Sequence, residues 1–295
     1  MGYSNEIRYI EAKSILSKLR GDDTLFGLTY NMNLYRGCQH GCIYCDTRSE
    51  CYQINDISSI AIKTNALDLL RKELPSKRNS KGTIGTGSMN DPYMPIEKDM
   101  QMVRQALQII SDHKFPVHII TKSNLVERDI DILQEISKTY AAVSFTITCA
   151  DDELSRKIEP NAFVTSDRLK AIELLAKNGI YTGVTLMPLL PYINDTAANI
   201  ESIIRRAKDA GASYINPMFG VTLRKGSRDY FYNELDKIYP SLRRKYQSQF
   251  GEQYICNSPN YSNLTSTYRK VMREVGMNSK MEVYKPVEYI QQSLF

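Results

Sequence analysis

The segment that most constrains this chain reads Arg36-Gly37-Cys38-Gln39-His40-Gly41-Cys42-Ile43-Tyr44-Cys45-Asp46, a C-x3-C-x2-C spacing. Three thiolates on one short loop can wrap around a cubane and bind three of its irons, whereas iron–sulfur clusters are ordinarily held by four ligands. The remaining iron is open to a non-protein ligand, which a redox catalyst needs and a plain electron carrier does not. Gly37 and Gly41 let the backbone turn tightly around such a body. Zinc is one alternative, with His40 completing a Cys3His set. His40 sits inside the loop, however, a short bite for tetrahedral closure, and no second knuckle appears. Unlinked structural thiols are the other alternative. The remaining cysteines, Cys51, Cys149 and Cys256, are scattered, unlike a disulfide framework.

Around this loop the chain alternates short apolar runs with helical patterns. Strands are expected at Leu28–Tyr35, Thr83–Gly87, Val117–Thr121, Ala141–Thr148, Ile180–Met187 and Tyr214–Phe219. Helices are expected at Ile57–Leu74, Glu97–Ser111, Val126–Lys138, Ser166–Lys177 and Thr196–Ala210, each carrying an apolar stripe. Six strands alternating with helices imply parallel β/α architecture, as an open doubly wound sheet or as a complete or partial barrel. Periodicity alone does not choose. After Gly220 the alternation stops, and the rest reads as helical without a further strand. Three segments follow: an N-terminal piece over 1–27, a core over 28–220 and an extension over 221–295. No run of 18 apolar residues occurs, and Met1–Arg20 lacks the apolar stretch of a secretory signal. The expected location is cytoplasmic.

C-x3-C-x-aromatic-C, with Tyr44 as the aromatic, resembles the signature of the radical S-adenosylmethionine (SAM) superfamily. Further segments add to the likeness: TGSMNDPYMPIE from Thr86, TKSNLVERD from Thr121, VSFTITCADDELSRKIEP from Val143 and LMPLLPYIND from Leu186. Together they are similar to the spore photoproduct lyase-related branch, often called DNA repair photolyase-like, over about residues 28–220. The resemblance implies a partial (β/α)6 TIM-type barrel with a helical C-terminal extension. It implies a [4Fe–4S] cluster on Cys38, Cys42 and Cys45, whose open iron is chelated by SAM. Reductive cleavage of SAM to a 5′-deoxyadenosyl radical, then hydrogen abstraction from a substrate, is the implied chemistry, with a flavodoxin or ferredoxin as reductant.

Other residues are candidates for the same site. Tyr44 belongs to the cofactor-binding motif. Gly85, Thr86, Gly87 and Ser88 follow the second strand, where the family hydrogen-bonds the SAM amino group; the plain alternative is a glycine turn. Ser144, Thr146 and Thr148 share one face of the fourth strand, and Thr148 is the expected SAM contact. Glu159 and Arg168 are implied to reach the ribose or the methionine carboxylate, the alternative being a surface ion pair. Tyr93 is a candidate redox relay or stacking surface, and Cys149 a candidate hydrogen-atom donor, against a buried inert thiol. The lyase carries a hydrogen-donating cysteine after its second strand, where this chain has Ser88 or a neighbour. That departure argues against spore photoproduct repair itself.

The net charge of +5 lies in the extension, which holds 12 basic and 7 acidic residues and nine of the 20 tyrosines. Cations interleaved with rings suit nucleic acid, or else an amphipathic helix pair capping the barrel. The terminal Gln291-Gln292-Ser293-Leu294-Phe295 resembles the short peptide that docks bacterial repair proteins on the sliding clamp. Three functions remain in view. One is a radical SAM enzyme acting on a nucleic-acid base or nucleotide. The second is the same chemistry on a small molecule or peptide. The third is a non-catalytic iron–sulfur carrier or sensor.

Overall fold

The computed structural model describes residues 7–286; the sliding-clamp motif at 291–295 lies outside them. Six parallel strands form the centre: β1 (Leu28–Met32), β2 (Thr83–Thr86), β3 (Val117–Thr121), β4 (Ala141–Thr146), β5 (Tyr181–Leu186) and β6 (Tyr214–Pro217). They pair in chain order from β1 to β6, and Leu16–Lys18 adds a seventh, antiparallel strand outside β1. A doubly wound sheet reverses its strand order at a switch point. This order never reverses, so the sheet is wound one way and is a partial TIM-type barrel.

The crossover helices follow the apolar stripes. Ala66–Ser76 buries Leu70 and Leu74, Met102–Asp112 buries Val103, Ala106, Leu107 and Ile110, and Ala197–Asp209 buries Ile200, Ile203, Ile204 and Ala207. Each such leucine, isoleucine or valine contributes about 1.5–3 kcal/mol relative to exposure. Thr165–Lys177 and Ala197–Asp209 fall within a residue of their expected limits.

Four expectations need correction. The helix expected over Ile57–Leu74 begins only at Ala66. Ahead of it, Ala61–Lys63 is a strand, paired with Arg8–Ile10 on one side and Tyr35–Arg36 on the other. A short apolar run reads equally as strand or helix, and only the distant partners decide it. The helix expected over Glu97–Ser111 breaks at Gln101, which adopts a positive φ of 49°. Glu97 turns its carboxylate back onto the Val103 N–H at 3.0 Å, capping the second helix instead of continuing the first. The stretch expected as a helix over Val126–Lys138 opens as a 3₁₀ turn, Asn124–Asp129, before the helix Ile130–Ser137. Lastly, the region after Gly220 does contain strands: Gly220–Thr222 pairs antiparallel with Ile255–Asn257. Three helices, Ser227–Ile238, Leu242–Phe250 and Tyr261–Glu274, complete it.

The extension packs on both the barrel and the cysteine loop. Tyr268 donates its hydroxyl to the Ile215 carbonyl at 2.7 Å, and Arg205 of the last crossover helix pairs with Glu274. Phe231, Tyr232, Tyr246 and Phe250 join one apolar cluster with Cys42, Ile43 and Tyr44. Several of the extension's rings are spent inside the fold, and some of its cations are paired there, while Arg244, Lys245, Arg269 and Lys270 stay exposed. Arg228 is buried against Glu252 and the carbonyls of Leu223 and Gln253. Arg243 pairs with Asp236 over the Tyr232 ring.

Candidate active site at the C-terminal ends of the strands

The cysteine loop leaves the small three-stranded sheet at Tyr35–Arg36 and is tied down on both flanks. The Cys38 N–H donates to the Ile57 carbonyl at 2.7 Å. Gly37 has a φ of +92°, and a Cβ there would lie 2.7 Å from that same oxygen, so only glycine fits the turn. On the far side the Ile43 N–H donates to Ile158 O, and the Asn161 N–H to His40 O. Asn161 Nδ2 donates to Gln39 O at 2.9 Å, and Gln39 Oε1 accepts from the Ile96 N–H.

Cys38, Cys42 and Cys45 are free thiols on the wall of one cavity of about 320 Å³. Facing the cysteine loop, the wall comes from the C-terminal side of the sheet: Gly87–Asp91 after β2, Ile120–Lys122 at the end of β3, Thr146 of β4, Met187 and Pro188 after β5, and Met218 after β6. Barrel enzymes place their chemistry at this end. Asp46, Thr47 and Arg48 continue the wall beyond the cysteines, facing Val221 and Thr222.

Burial pushes the Cys38 thiol up to about 11 and the Cys42 thiol higher still. Thiolates there need a compensating positive body such as iron. Among the described residues no three His, Cys, Asp or Glu side chains gather around a single metal ion. The donor set is three thiols spread along one cavity wall, and it fits a cluster with an exposed face.

Two further charged residues stand in the same wall, Asp91, which the sequence offers as a hydrogen-bond acceptor for a ligand, and Lys122, which it does not single out. Asp91 accepts from Thr121 Oγ1 and from the Lys122 and Tyr93 N–H groups. His40 Nδ1 lies 3.3 Å from its Oδ2, without the alignment of a hydrogen bond. Burial opposes the Asp91 charge, but His40, Lys122 and Thr121 prevail and hold its carboxyl at about 2. Asp91 thereby joins the cysteine loop to the end of β3. Burial acts to lower the Lys122 ammonium, while Cys42, Glu159 and Asp91 raise it to about 12. Lys122 directly follows β3 within the TKS motif, and that position at a strand terminus was the available signal.

The sequence-expected residues separate into those on the wall and those behind it. Tyr44, Gly87 and Ser88 line the cavity, Ser88 donating to Asn31 Oδ1 at 2.9 Å. Gly85 and Thr86 lie one layer below, inside β2. Thr148 lies past the end of β4; its carbonyl accepts from Asn194 and Asn199, and Thr146 takes the wall position. Glu159 and Arg168 do form an ion pair, at 2.5 Å, but a fully buried one rather than a surface one. The Tyr44 hydroxyl donates to Glu159, and Arg168 also donates to the carbonyls of Thr146 and Phe163. Tyr93 is buried with its hydroxyl on Asp129 at 3.0 Å. Cys149 is buried beside Asn194, and burial pushes its thiol up to about 12. Neither Tyr93 nor Cys149 is on the cavity wall.

Gly87 has a φ of +93°, and a Cβ would stand 2.3 Å from the Ile120 carbonyl oxygen. Gly87→Ala is expected to cost about 1–3 kcal/mol and to lower Tm by roughly 2–10 °C, read by calorimetry on the purified protein. An unchanged Tm would contradict that fit.

A parallel partial barrel with three thiols of one C-x3-C-x2-C loop at its C-terminal face defines a class, and comparison bears it out. The Radical SAM superfamily model matches residues 32–207, and the chain belongs to that superfamily. It is 32% identical over 238 residues to an uncharacterised protein of Methanocaldococcus jannaschii, across 80% of this chain and 84% of that one. A radical SAM Nα-GlyT isomerase of Pseudomonas phage M6 is 24% identical, across 81% of this chain and 50% of that protein. In fold it resembles spore photoproduct lyase, solved with a dinucleoside spore photoproduct, at a TM-score of 0.67 and 15% identity, covering 91% of this chain and 79% of that one. The chain is therefore an enzyme of this class, and membership implies a [4Fe–4S] cluster, SAM and an electron donor. Among the described residues no helix is long and apolar enough to cross a membrane.

Proposed function

We propose that Cys38, Cys42 and Cys45 hold the cluster, that SAM occupies the adjoining cavity, and that the enzyme abstracts hydrogen from a nucleic-acid base or nucleotide. The observation that carries this reading is the opening of all three thiols onto one cavity at the strand ends, of a size suited to a small-molecule cofactor. When bound, the cluster and SAM supply the electron and the 5′-deoxyadenosyl radical. The chain's own residues position and enclose. Gly87 brings backbone close to the ligand, Ser88 offers a hydroxyl, and Lys122 offers a cation on the floor. Tyr44 is fixed by the buried Glu159–Arg168 pair, which keeps the cysteine loop in register with β4. Thr146 and Thr185 share a hydrogen bond of 2.9 Å, giving the lumen a polar lining. The nucleotide class draws support from the dinucleoside ligand of the similar lyase fold. Repair of the spore photoproduct is not proposed, because Ser88 stands on the wall where a thiol donor is expected.

The test is anaerobic reconstitution with iron and sulfide, then dithionite and SAM, with 5′-deoxyadenosine measured by chromatography. Release well above the cluster-free protein is expected. A fully loaded cluster releasing none would sink the catalytic reading. Deuterium passing from labelled nucleotides into 5′-deoxyadenosine would support the substrate class, and transfer only from labelled peptides would overturn it.

A further inference from the structure

Arg48 lines the cavity mouth three residues beyond Cys45. Its guanidinium lies over the Tyr230 ring at 3.6 Å from the centroid. Its Nε is buried without a hydrogen-bond partner among the described residues. No carboxylate oxygen lies within ion-pair distance of it among those residues, although its charge helps to lower the Asp56 carboxyl. The neighbouring acid, Asp46, is already engaged by Arg224 at 3.6 Å and by the Tyr52 hydroxyl. Asp91, the other acid in the wall, is satisfied by Thr121 and two backbone N–H groups. The surrounding cations are matched too: Lys225 pairs with Glu50 and Arg224 with Asp46. Arg48 is thus a half-buried, ring-stacked fork lining a cavity, with no carboxylate in direct ion-pair contact among the described residues.

Resting on the nucleotide reading above, we infer that Arg48, held flat by Tyr230, docks a phosphate of the nucleotide substrate at the cavity mouth. A planar guanidinium presents paired N–H donors that match two phosphate oxygens, and stacking fixes its orientation before the ligand arrives. Lys122, deeper in the cavity, lacks an ion pair within 4.0 Å among the described residues but is a point charge. The two cations therefore differ in what they can recognise. The extension supplies Tyr230 and the cysteine loop supplies Arg48, so the docking point exists only when the two are packed together, as Ser49 Oγ and Ser227 Oγ are at 3.3 Å.

The test uses the cluster-loaded, SAM-bound enzyme and three probes: a thymidine dinucleotide, its uncharged methylphosphonate analogue, and inorganic pyrophosphate. Wild-type enzyme should bind the dinucleotide at least about tenfold more tightly than the neutral analogue. Arg48→Gln should erase that difference while leaving affinity for the neutral analogue unchanged. Arg48→Lys should recover only part of it, and Tyr230→Leu should lose part. Equal dinucleotide affinity in wild type and Arg48→Gln overturns the docking point and leaves the nucleotide reading standing. Equal weakening toward both nucleotide probes also overturns it, since a disturbed fold explains that. Pyrophosphate bound through Arg48 with no binding of either nucleotide supports an anion site but overturns the nucleotide assignment. No binding of any probe overturns both.

Discussion

Cys42→Ala protein is expected to fold, to bind no stable cluster and to release 5′-deoxyadenosine at the level of cluster-free enzyme. The fall should exceed about a thousandfold, or more than ~4 kcal/mol of barrier. Cys42 is buried beside Ile43 and Tyr44 in the apolar cluster shared with the extension. Removing its sulfur there deletes one small, non-hydrogen-bonded group, a change of the size of Ile→Val, about 0.5–1.5 kcal/mol. Stability is thus largely kept while one of three local ligands is lost, and two thiolates leave a cubane with half its irons unheld. Iron content and the visible absorption of the reconstituted protein read the loss directly, and circular dichroism verifies the fold. Cys51→Ala is the matched control. Cys51 is exposed, touches Arg224 at 3.4 Å and is not on the cavity wall. It should keep full iron. Normal iron and colour in Cys42→Ala would remove Cys42 from the ligand set, and loss of both in Cys51→Ala would contradict the assignment of the cluster to Cys38, Cys42 and Cys45 alone.

The parts of this site that a reader of the sequence can find are those whose partners are close in the chain. The cysteine spacing is local, and so is the glycine at each turn. The six parallel strands announce themselves because each is a run of apolar residues between helical stripes. What stays hidden is set by distance along the chain. The strand Ala61–Lys63 is three residues long and gains its identity from Arg8–Ile10 and Tyr35–Arg36. The pair Gly220–Thr222 and Ile255–Asn257 is separated by two helices. Glu159 and Arg168 look like surface charges, since ionisable residues are almost never fully buried unless paired. Only the fold shows that Tyr44, from another element, completes them. The stack of Arg48 on Tyr230 joins residues that no local pattern connects. The cations of the extension divide in a way their spacing does not show: Arg224, Arg228 and Arg243 each have an acidic partner, while Arg244, Lys245, Arg269 and Lys270 are exposed.

Arg168→Met should be the most destabilising single change in the barrel wall. Arg168 and Glu159 side chains have no exposure, and the pair is completed by Tyr44 and by the carbonyls of Thr146 and Phe163. Removing one partner of such a pair leaves a buried charge and costs about 3–5 kcal/mol, roughly 6–20 °C in Tm. The pH dependence distinguishes this cause from lost packing. Burial raises the Glu159 carboxyl, but Arg168 and Lys122 outweigh it and hold the group below the usual glutamate range. In the wild type its contribution is therefore fully present at neutral pH and fades only as pH falls through that depressed value. Without Arg168, burial is expected to outweigh Lys122 and the Tyr44 hydroxyl, the groups left opposing it, so that the folded state binds the proton more readily than the unfolded chain. The variant then gains stability on acidification, and its deficit against wild type should narrow toward about pH 5. Glu159→Gln combined with Arg168→Met removes the stranded charge and should recover part of the loss at pH 7 but none of it at low pH. A deficit independent of pH would assign the loss to packing, and one that widens in acid would contradict the buried-charge account.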